Sequence, residues 1–331
     1  MSIPSRSTPP SSAPYFGGVD AGGTKFLCAI GKTHEQFERV ISIKTEAPEK
    51  TLEMVAEFFN EWLAEGKSLA GIGISAFGPL CRDPLKADYG KLRNSPKPGW
   101  ATADIGGYIR DHVPVPIAID TDVNGAALAE GRWGAASAND IRHYAYVTVG
   151  TGVGVGIVAD GRLVNGVAHP ELGHYRPPRF NGDLFEGVCP FHGDCLEGLV
   201  SGPAIERRTG QPGAALDDDL PVWRPIAHYL AHLCSVLILG FSPQRIIIGG
   251  GVMDRSLLFP MIRRETRKLL SGYVSHPLHS GDLSEFIVPS GLGGRNGSGP
   301  PVNAGVLGGF ILAEQATNER PCSSISGRNN V

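Results

Sequence analysis

Two glycine-rich turns, each lying between two apolar runs, constrain the fold of this chain more than any other feature. The first turn, 20–25, has the sequence Asp-Ala-Gly-Gly-Thr-Lys and follows an apolar run that begins at Phe16. The second turn, 150–154, has the sequence Gly-Thr-Gly-Val-Gly and separates the apolar runs 144–149 and 155–158. This pattern predicts a β-hairpin in each case. Because the same plan occurs twice, we expect two lobes of similar construction.

Length and composition agree with two lobes. A single hydrophobic core stops growing at roughly 250 to 300 residues, whereas this chain has 331 residues, 41% of them hydrophobic. We expect one α/β lobe at 15–134 and a second at 135–316. The segments 1–14 and 317–331 are expected to be a flexible leader and tail, because they are polar and the leader is rich in Ser and Pro.

Periodic apolar residues predict the elements around the hairpins. Helices are predicted at 51–65, 126–130, 222–240, 257–270 and 303–316. Short buried strands are predicted at 71–77, 116–120 and 245–248. The loops that follow these strands are candidates for a binding site, since functional residues concentrate on loops held by a rigid scaffold. A glycine-rich stretch, Gly293–Pro301, precedes the last helix and has no functional interpretation.

The glycine turns themselves are candidate phosphate sites, because backbone N–H groups in such turns can point together at an anion. The first turn also carries Asp20, a carboxylate suited to hydrated Mg²⁺, and the phosphate donors Thr24 and Lys25. The second carries Thr148 and Thr151. Neither turn matches Walker A or the dinucleotide fingerprint, since both run from strand to strand. A single turn of this kind is more often only a hairpin, but the two together with Asp20 and Lys25 favour phosphate binding.

A third candidate segment for the functional site is 120–125, Asp-Thr-Asp-Val-Asn-Gly, which follows a predicted buried strand and begins a predicted helix. This placement puts Asp122 at the mouth of a sheet, where ligands bind in open α/β folds. The alternative interpretation is that Asp120 or Asp122 only caps the helix N-terminus.

Two histidines and two cysteines form a candidate metal site. His174, Cys189, His192 and Cys195 are the ligand types of a closed tetrahedral zinc site, and the spacing from Cys189 to Cys195 is short. Six cysteines are too few for a disulfide scaffold in a chain of this length. The alternative is a set of packed cysteines and solvated histidines, and His169 competes as the fourth ligand.

Charge and apolar pattern exclude other classes of protein. The chain has 30 basic and 33 acidic side chains, without the basic excess that binding a phosphate backbone requires, so we expect no nucleic acid partner. The apolar stretch 233–241 is far short of the roughly 20 residues that span a bilayer, so we expect no membrane partner. The leader lacks the apolar core of a secretory signal, and the protein is therefore expected to be cytoplasmic.

Taken in order, these segments resemble the ROK family of sugar kinases and, within it, the bacterial fructokinase branch. The resemblance covers about 15–316. It rests on the segments 17–25, 71–79, 119–130, 148–156, 169–174 and 189–197. It implies an α/β fold of two actin-like (ribonuclease H-like) lobes with a zinc-binding loop, with ATP and sugar meeting in the cleft, and a homodimer.

The resemblance also implies roles for single residues. Asp122 would be the general base that takes the proton from the sugar hydroxyl, and Asp20 would help to place Mg²⁺. The ATP-binding residues would be Asp20, Gly22, Gly23, Thr24, Lys25, Thr148, Gly150, Thr151, Gly152, Gly250 and Gly251. The sugar-binding residues would be Gly78, Asn94, Asp122, Glu171, His174 and Glu197. The zinc ligands would be His174, Cys189, His192 and Cys195.

The zinc loop favours fructose as the hexose substrate. The broader family commonly has a second cysteine two residues after the first, whereas this chain has His192 three residues after Cys189, as the fructokinase branch does. The alternatives are a kinase for glucose, mannose or an N-acetylhexosamine, a zinc-stabilised sugar-binding module, and a non-catalytic sugar sensor of the same family. Sugar-sensing repressors carry a helix-turn-helix ahead of the sugar domain, and residues 1–15 are too few for one.

Overall fold

Each of the two predicted hairpins begins a five-stranded sheet of its own. The residues described by the structure, a computed structural model, are 13–95, 97–138, 140–292 and 302–318. The chain divides into two compact units. Unit 1 comprises the described residues up to Asp120 together with those from Gly309 onward, and unit 2 is Thr121–Gly308.

Unit 1 contains a mixed sheet covered by helices. Its strands are β1 (Phe16–Ala21), β2 (Lys25–Thr33), β3 (Gln36–Lys44), β4 (Gly71–Ala76) and β5 (Ile117–Thr121). Its first two helices are α1 (Pro48–Ala64) and α2 (Ile105–His112). The strand order is β3-β2-β1-β4-β5, in which β1 and β2 form the predicted hairpin and β4 runs parallel to β1. The buried face of α1, which includes Leu52, Phe59 and Trp62, packs in the hydrophobic core of this unit.

Unit 2 repeats this plan. Its strands are β6 (Tyr144–Val149), β7 (Val153–Ala159), β8 (Arg162–Leu163), β9 (Arg245–Gly249) and β10 (Ile287–Pro289). Its helices are α3 (Asp122–Trp133), α4 (Leu196–Val200), α5 (Gly202–Thr209), α6 (Trp223–Phe241) and α7 (Leu258–Leu270). The strand order is β10-β9-β6-β7-β8, with β6 antiparallel to β7 and parallel to β9. In both units, therefore, a glycine hairpin is followed by a third antiparallel strand on one side and a parallel strand on the other, which confirms the predicted pair of mixed α/β sheets.

The helix α6 lies in the core of unit 2. By length and composition its 19 residues would be sufficient to cross a membrane, since an 18-residue stretch of the helix has a mean hydropathy of 1.2. However, 56% of that stretch is buried inside the protein. Its side chains Trp223, Tyr229 and Leu237 belong to the same hydrophobic core as strands β6 and β9. The prediction about membrane spans rested on 233–241 alone, and the full helix packs as a core helix.

The compact units differ from the expected lobe limits, 15–134 and 135–316, which remain a prediction. Unit 1 ends at Asp120 and resumes at Gly309, inside the last helix, α8 (Ala304–Asn318). A Cβ on Gly73 of β4 would lie only 1.9 Å from the carbonyl oxygen of Gly309, so α8 packs directly on this strand. Such a long-range contact has no signal in the linear sequence.

Most of the expected leader and tail cannot be compared with the structure. The segments 1–12 and 319–331 lie outside the described residues, and so does the stretch Gly293–Pro301.

Candidate functional site

The first glycine turn is fixed by a threonine that the sequence analysis missed. The N–H of Gly22 donates to the Lys25 carbonyl oxygen at 3.1 Å, which closes the turn. The N–H of Thr45 donates to the Thr24 carbonyl oxygen at 3.0 Å, and its Oγ1 donates to the Gly22 carbonyl oxygen at 2.8 Å. Gly23, Thr24 and Lys25 are exposed. These hydrogen bonds fix the backbone of the turn, while the predicted phosphate donors Thr24 and Lys25 stay accessible to solvent.

Unit 1 carries three further predicted site residues. Asp20 is half-buried near the end of β1. Gly78 is half-buried in the loop after β4, and Asn94 is exposed. Asn94 has a φ of 54°, in the left-handed region that asparagine adopts more readily than most residues.

A buried ion pair, also missed by the sequence analysis, fixes the end of β5. The Nε and Nη2 atoms of Arg82 donate to the two carboxylate oxygens of Asp120, at 2.5 and 2.6 Å. The side chains are only 16% and 7% exposed. Both oxygens of Asp120 are therefore engaged by one guanidinium, a geometry that gives strong, directional hydrogen bonds.

Asp122 begins helix α3, but it is not the capping residue. Thr121 is the N-cap, and its Oγ1 accepts from the Asn124 N–H at 3.2 Å. The alternative in which Asp120 or Asp122 caps this helix is therefore wrong. Asp122 is half-buried, and its Oδ1 accepts from the Val123 N–H at 2.8 Å. A carboxylate in the first turn is also favoured by the helix dipole.

The second glycine turn is shorter than predicted, because β7 already begins at Val153. The N–H of Gly150 donates to the Gly152 carbonyl oxygen at 2.9 Å. The Gly150 carbonyl oxygen accepts from the N–H of Gly202, at the start of α5, at 2.7 Å. The Val153 N–H donates to Glu197 Oε2 at 3.0 Å. This turn is thus held by the segment that contains α4 and α5.

Gly250 requires glycine on two grounds. Its φ of 91° lies in the region that side chains disfavour, and a Cβ there would lie 2.5 Å from the Val149 carbonyl oxygen. The next residue, Gly251, is exposed. The end of β9 therefore turns sharply beside the end of β6, its parallel partner.

A cavity of about 560 Å³ lies in unit 2 beside the second turn. Its lining includes Gly150, Thr151 and Gly251 of the predicted ATP-binding set, together with Trp223 and Arg255, which were not predicted. The volume is in the range of pockets for small ligands. Unit 2 thus brings three predicted ATP-binding residues together at one concave surface.

The four predicted zinc ligands form one cluster. The nearest ligand atoms of His174, Cys189, His192 and Cys195 all lie within 4.8 Å of one another. Cys189 Sγ lies 3.7 Å from the Nδ1 atoms of both His174 and His192, and Cys195 Sγ lies 3.5 Å from His174 Nδ1. Zinc bond lengths of about 2.3 Å to sulfur and 2.0 to 2.1 Å to nitrogen give tetrahedral edges of about 3.6 Å. The donor types and their spacing therefore fit zinc.

A tight loop brings these ligands together. Cys189 and Gly193 exchange two backbone hydrogen bonds, of 3.2 and 2.9 Å. A Cβ on Gly198 of α4 would lie 1.9 Å from the Gly193 carbonyl oxygen. Cys195, directly before α4, is fully buried, and burial raises the pKa of its thiol to about 12. A bound divalent cation would instead favour the thiolate.

The competing ligand His169 lies outside the cluster. Its Nε2 pairs with Glu171 Oε1 at 2.6 Å, and its side chain is 6% exposed. His174 ends a 3₁₀ helix, Leu172–His174, in which a Cβ on Gly173 would lie 1.8 Å from the Val153 carbonyl oxygen. Since Glu197 accepts from the N–H of the same Val153, the predicted sugar-binding residues Glu171, His174 and Glu197 belong to segments that converge on the start of β7.

A buried network anchors the segment that leads into the zinc loop. Asp183 accepts from Arg208 Nη1 and Nη2 at 2.7 and 2.8 Å and from the Tyr229 hydroxyl at 2.5 Å. The Asp183 and Arg208 side chains are 7% and 9% exposed. Although burial opposes ionisation, the hydrogen bonds from Arg208 and Tyr229 lower the pKa of Asp183 to about 2. Nothing in the linear sequence signals this network, because its members are far apart in the chain.

Known proteins resemble this chain along nearly its whole length. The model of the ROK family matches residues 16–315. A fructokinase of Pediococcus pentosaceus is 41% identical over 91% of this chain and 98% of that protein. A fructokinase of Zymomonas mobilis subsp. mobilis is 40% identical over 92% and 98%, respectively. The crystal structure of a ROK hexokinase from Thermus thermophilus, 25% identical, covers 92% of this chain and 100% of its own with a TM-score of 0.70. This similarity confirms the predicted actin-like α/β fold.

Proposed function

The chain belongs to the ROK family, and we propose that it is an ATP-dependent hexose kinase that transfers the γ-phosphoryl group to the 6-hydroxyl of fructose. One observation carries this proposal: fructokinases from two organisms are 40% and 41% identical to the chain, and each is matched over 98% of its length. The family match, residues 16–315, includes both glycine turns, the Asp122 segment and the zinc loop.

Asp122 is the proposed general base. Two local observations support this role: Thr121 caps α3, and Arg82 engages Asp120, so the two neighbouring polar residues already have structural tasks. A half-buried carboxylate at the start of a helix can accept the proton of an attacking hydroxyl. The remaining work of phosphoryl transfer is positioning and charge stabilisation.

The proposed nucleotide site uses the two glycine turns and the cavity of unit 2. Gly150, Thr151 and Gly251 line that cavity, which has room for the nucleoside part of ATP. The first turn would contribute Lys25 and backbone N–H groups to the phosphates. Mg²⁺, with Asp20 as a proposed ligand, would supply positive charge at the phosphate oxygens.

The proposed zinc site is structural, because all four positions of a tetrahedral ion would be filled by protein side chains. It would hold Glu197, two residues after Cys195, beside the start of β7. We propose that Glu171, His174 and Glu197 bind sugar hydroxyls from unit 2, and that Gly78 and Asn94 do so from unit 1.

Assembly and compartment complete the proposal. We propose a cytoplasmic homodimer that acts on a small-molecule hexose, without a nucleic acid or membrane partner. The near-balance of 30 basic and 33 acidic side chains supports the absence of a nucleic acid partner. Cysteines 28, 81, 189, 195 and 234, all within the described residues, form no disulfide, as is usual in a reducing compartment.

The test is a substrate panel of fructose, mannose, glucose and N-acetylglucosamine with MgATP, in which ADP release is measured and the phosphorylated carbon of the product is located. We expect fructose to have the highest kcat/KM and to receive phosphate at the 6-position. Preference for another hexose would contradict the assignment of fructose while leaving a hexose kinase. No ADP release with any hexose from folded, zinc-containing protein would contradict the kinase itself.

A further inference from the structure

One wall of the unit 2 cavity is a short segment, 213–218, in which every residue except Leu216 is exposed or half-buried. It contains the 3₁₀ helix Gly213–Ala215 and Asp218, which line the cavity. None of the residues of that helix is buried. The one buried side chain of the segment 213–218 is that of Leu216, which belongs to the hydrophobic core of unit 2, so polar interactions must help to fix the exposed turn.

Arg255 provides these interactions. Its Nη2 donates to the carbonyl oxygens of Gly213 and Leu216, at 2.8 and 2.7 Å, and its Nη1 forms an ion pair with Asp218. Its guanidinium carbon lies 4.5 Å from the centroid of the Trp223 ring. The Arg255 side chain is only 15% exposed. One guanidinium therefore connects three points of the segment 213–218 to the end of β9.

Trp223 supports the same segment from the other side. Its indole Nε1 donates to the Asp217 carbonyl oxygen at 2.8 Å, and the ring, 2% exposed, lines the cavity under Arg255. Stacking on the Trp223 ring while donating to three acceptors requires an arginine side chain. A planar guanidinium can stack on a ring while its edge donates to several acceptors, whereas a lysine ammonium is a compact charge without that fork.

We propose that Arg255 is a positioning residue for the nucleotide: by holding the segment 213–218, it shapes the wall of the cavity that receives the nucleoside part of ATP. The inference rests on the proposed kinase function. Among the residues that the structure describes, the contacts of the Arg255 guanidinium are with this wall and with Trp223, and Arg255 also lines the cavity itself. Its loss therefore weakens nucleotide binding and leaves the chemical step and sugar binding unchanged.

The test compares Arg255→Lys and Arg255→Gln with a matched control. We expect both substitutions to raise the KM for ATP at least about tenfold, with kcat at saturating ATP and the KM for fructose within about twofold of wild type. The lysine variant keeps the charge, so its failure to rescue would identify the fork as the feature that matters. Thermal melting would confirm that each variant is folded.

The matched control is Arg263→Lys. Arg263 also donates to backbone carbonyls, at 2.7 and 2.9 Å to Ile287, and lies 5.6 Å from the Phe259 ring centroid, but it is absent from the cavity lining. We expect it to lower the melting temperature without changing the KM for ATP. An equal rise in that KM for the Arg263 variant, or none for the Arg255 variants, would overturn the inference.

Calorimetric titration with ATP separates this inference from the proposed function. If wild-type protein binds ATP but phosphorylates no hexose, the proposed function is wrong, and weaker ATP binding by Arg255→Lys would still support the inference. Equal ATP affinity of wild type and Arg255→Lys would overturn the inference even if fructose is phosphorylated. Wild-type protein that binds no ATP would overturn both.

Discussion

The two glycine turns have similar sequences but different supports. The first is fixed by one residue, Thr45, which directly follows β3 and bonds to the turn through its backbone and its hydroxyl. The second is fixed by Glu197 and Gly202, which belong to α4 and α5. Cys195 of the candidate zinc site directly precedes α4. The second turn is therefore connected through α4 to the candidate zinc site, whereas the first is held by a local contact in unit 1.

This difference shows that a motif defines what a turn can bind but not what holds it in place. We therefore expect substitutions around the zinc loop to damage nucleotide binding through the second turn. Substitutions at Thr45 should have smaller, local effects.

Asp122→Asn is the reference for the other variants, since it should prevent phosphoryl transfer while leaving both glycine turns intact. We expect kcat for fructose phosphorylation to fall by about 10² to 10⁴, because the amide cannot accept the hydroxyl proton. ATP affinity, measured by calorimetry, should stay within about twofold. Retained turnover would mean that another group is the general base. The Asp122 variant would then not be a valid reference for the variants of the two turns.

Cys195→Ser tests the dependence of the second turn on the metal cluster. We expect zinc, measured by elemental analysis, to fall from about one atom per chain to a small fraction, with a melting temperature lower by at least about 5 °C and a higher KM for ATP. Cys234→Ser is the matched control, since Cys234 is also a fully buried free thiol but lies in α6. Equal zinc content in the two variants would contradict the site.

Asp183→Asn tests the network that anchors the segment before the zinc loop. The folded pKa of about 2 lies below the usual 3.8, so the carboxylate stabilises the fold above about pH 4, and this stability is lost as pH falls toward 2. We expect the free energy of unfolding at pH 7 to fall by about 2 kcal/mol. Its pH dependence between 4 and 2 should also flatten in urea titrations.

The control for this network is Asp160→Asn. Asp160 pairs with Arg142, but the two side chains are 75% and 60% exposed, so little change is expected. A similar loss in both variants would mean that the buried pair has no special role.

Thr45→Val should have the smallest effect. It removes the hydroxyl bond to Gly22 and keeps the shape of the side chain and the backbone bond to Thr24. We expect the KM for ATP to rise about threefold, with zinc content unchanged. Thr317→Val, which removes an exposed hydroxyl bond to the Glu314 carbonyl oxygen, is the control. A larger effect of Thr45→Val than of Cys195→Ser would reverse the comparison between the turns.

Local patterns predicted the parts of the molecule that are contiguous in sequence. The hairpin around 20–25, the helix that became α6 and the spacing of Cys189 and Cys195 are all visible within short windows, because each depends on neighbours in the chain. The strand β3 was not predicted, because its local sequence pattern is weak. Most of its residues are exposed or half-buried, so it lacks the apolar alternation that identifies a strand.

Pairs distant in sequence could not be predicted. Arg82 and Asp120 are 38 residues apart, and Thr45 and Gly22 are 23 apart. Arginine and threonine are common on surfaces, so neither residue type signals a partner until the fold brings the two together. The choice of His174 over His169 as a zinc ligand came from the family resemblance, because the spacing of the residues alone left both open.

The packing of α8 on β4 also determines the order in which the protein can be completed during synthesis. Unit 2 is continuous in the chain, so all of its residues have been synthesised before the end of α8 is made. The strand β4 of unit 1 is made much earlier, yet its surface at Gly73 is covered by helix residues from Gly309 onward. The unit encoded first is therefore the last to close its core, and until then it exposes apolar surface that favours association with other chains.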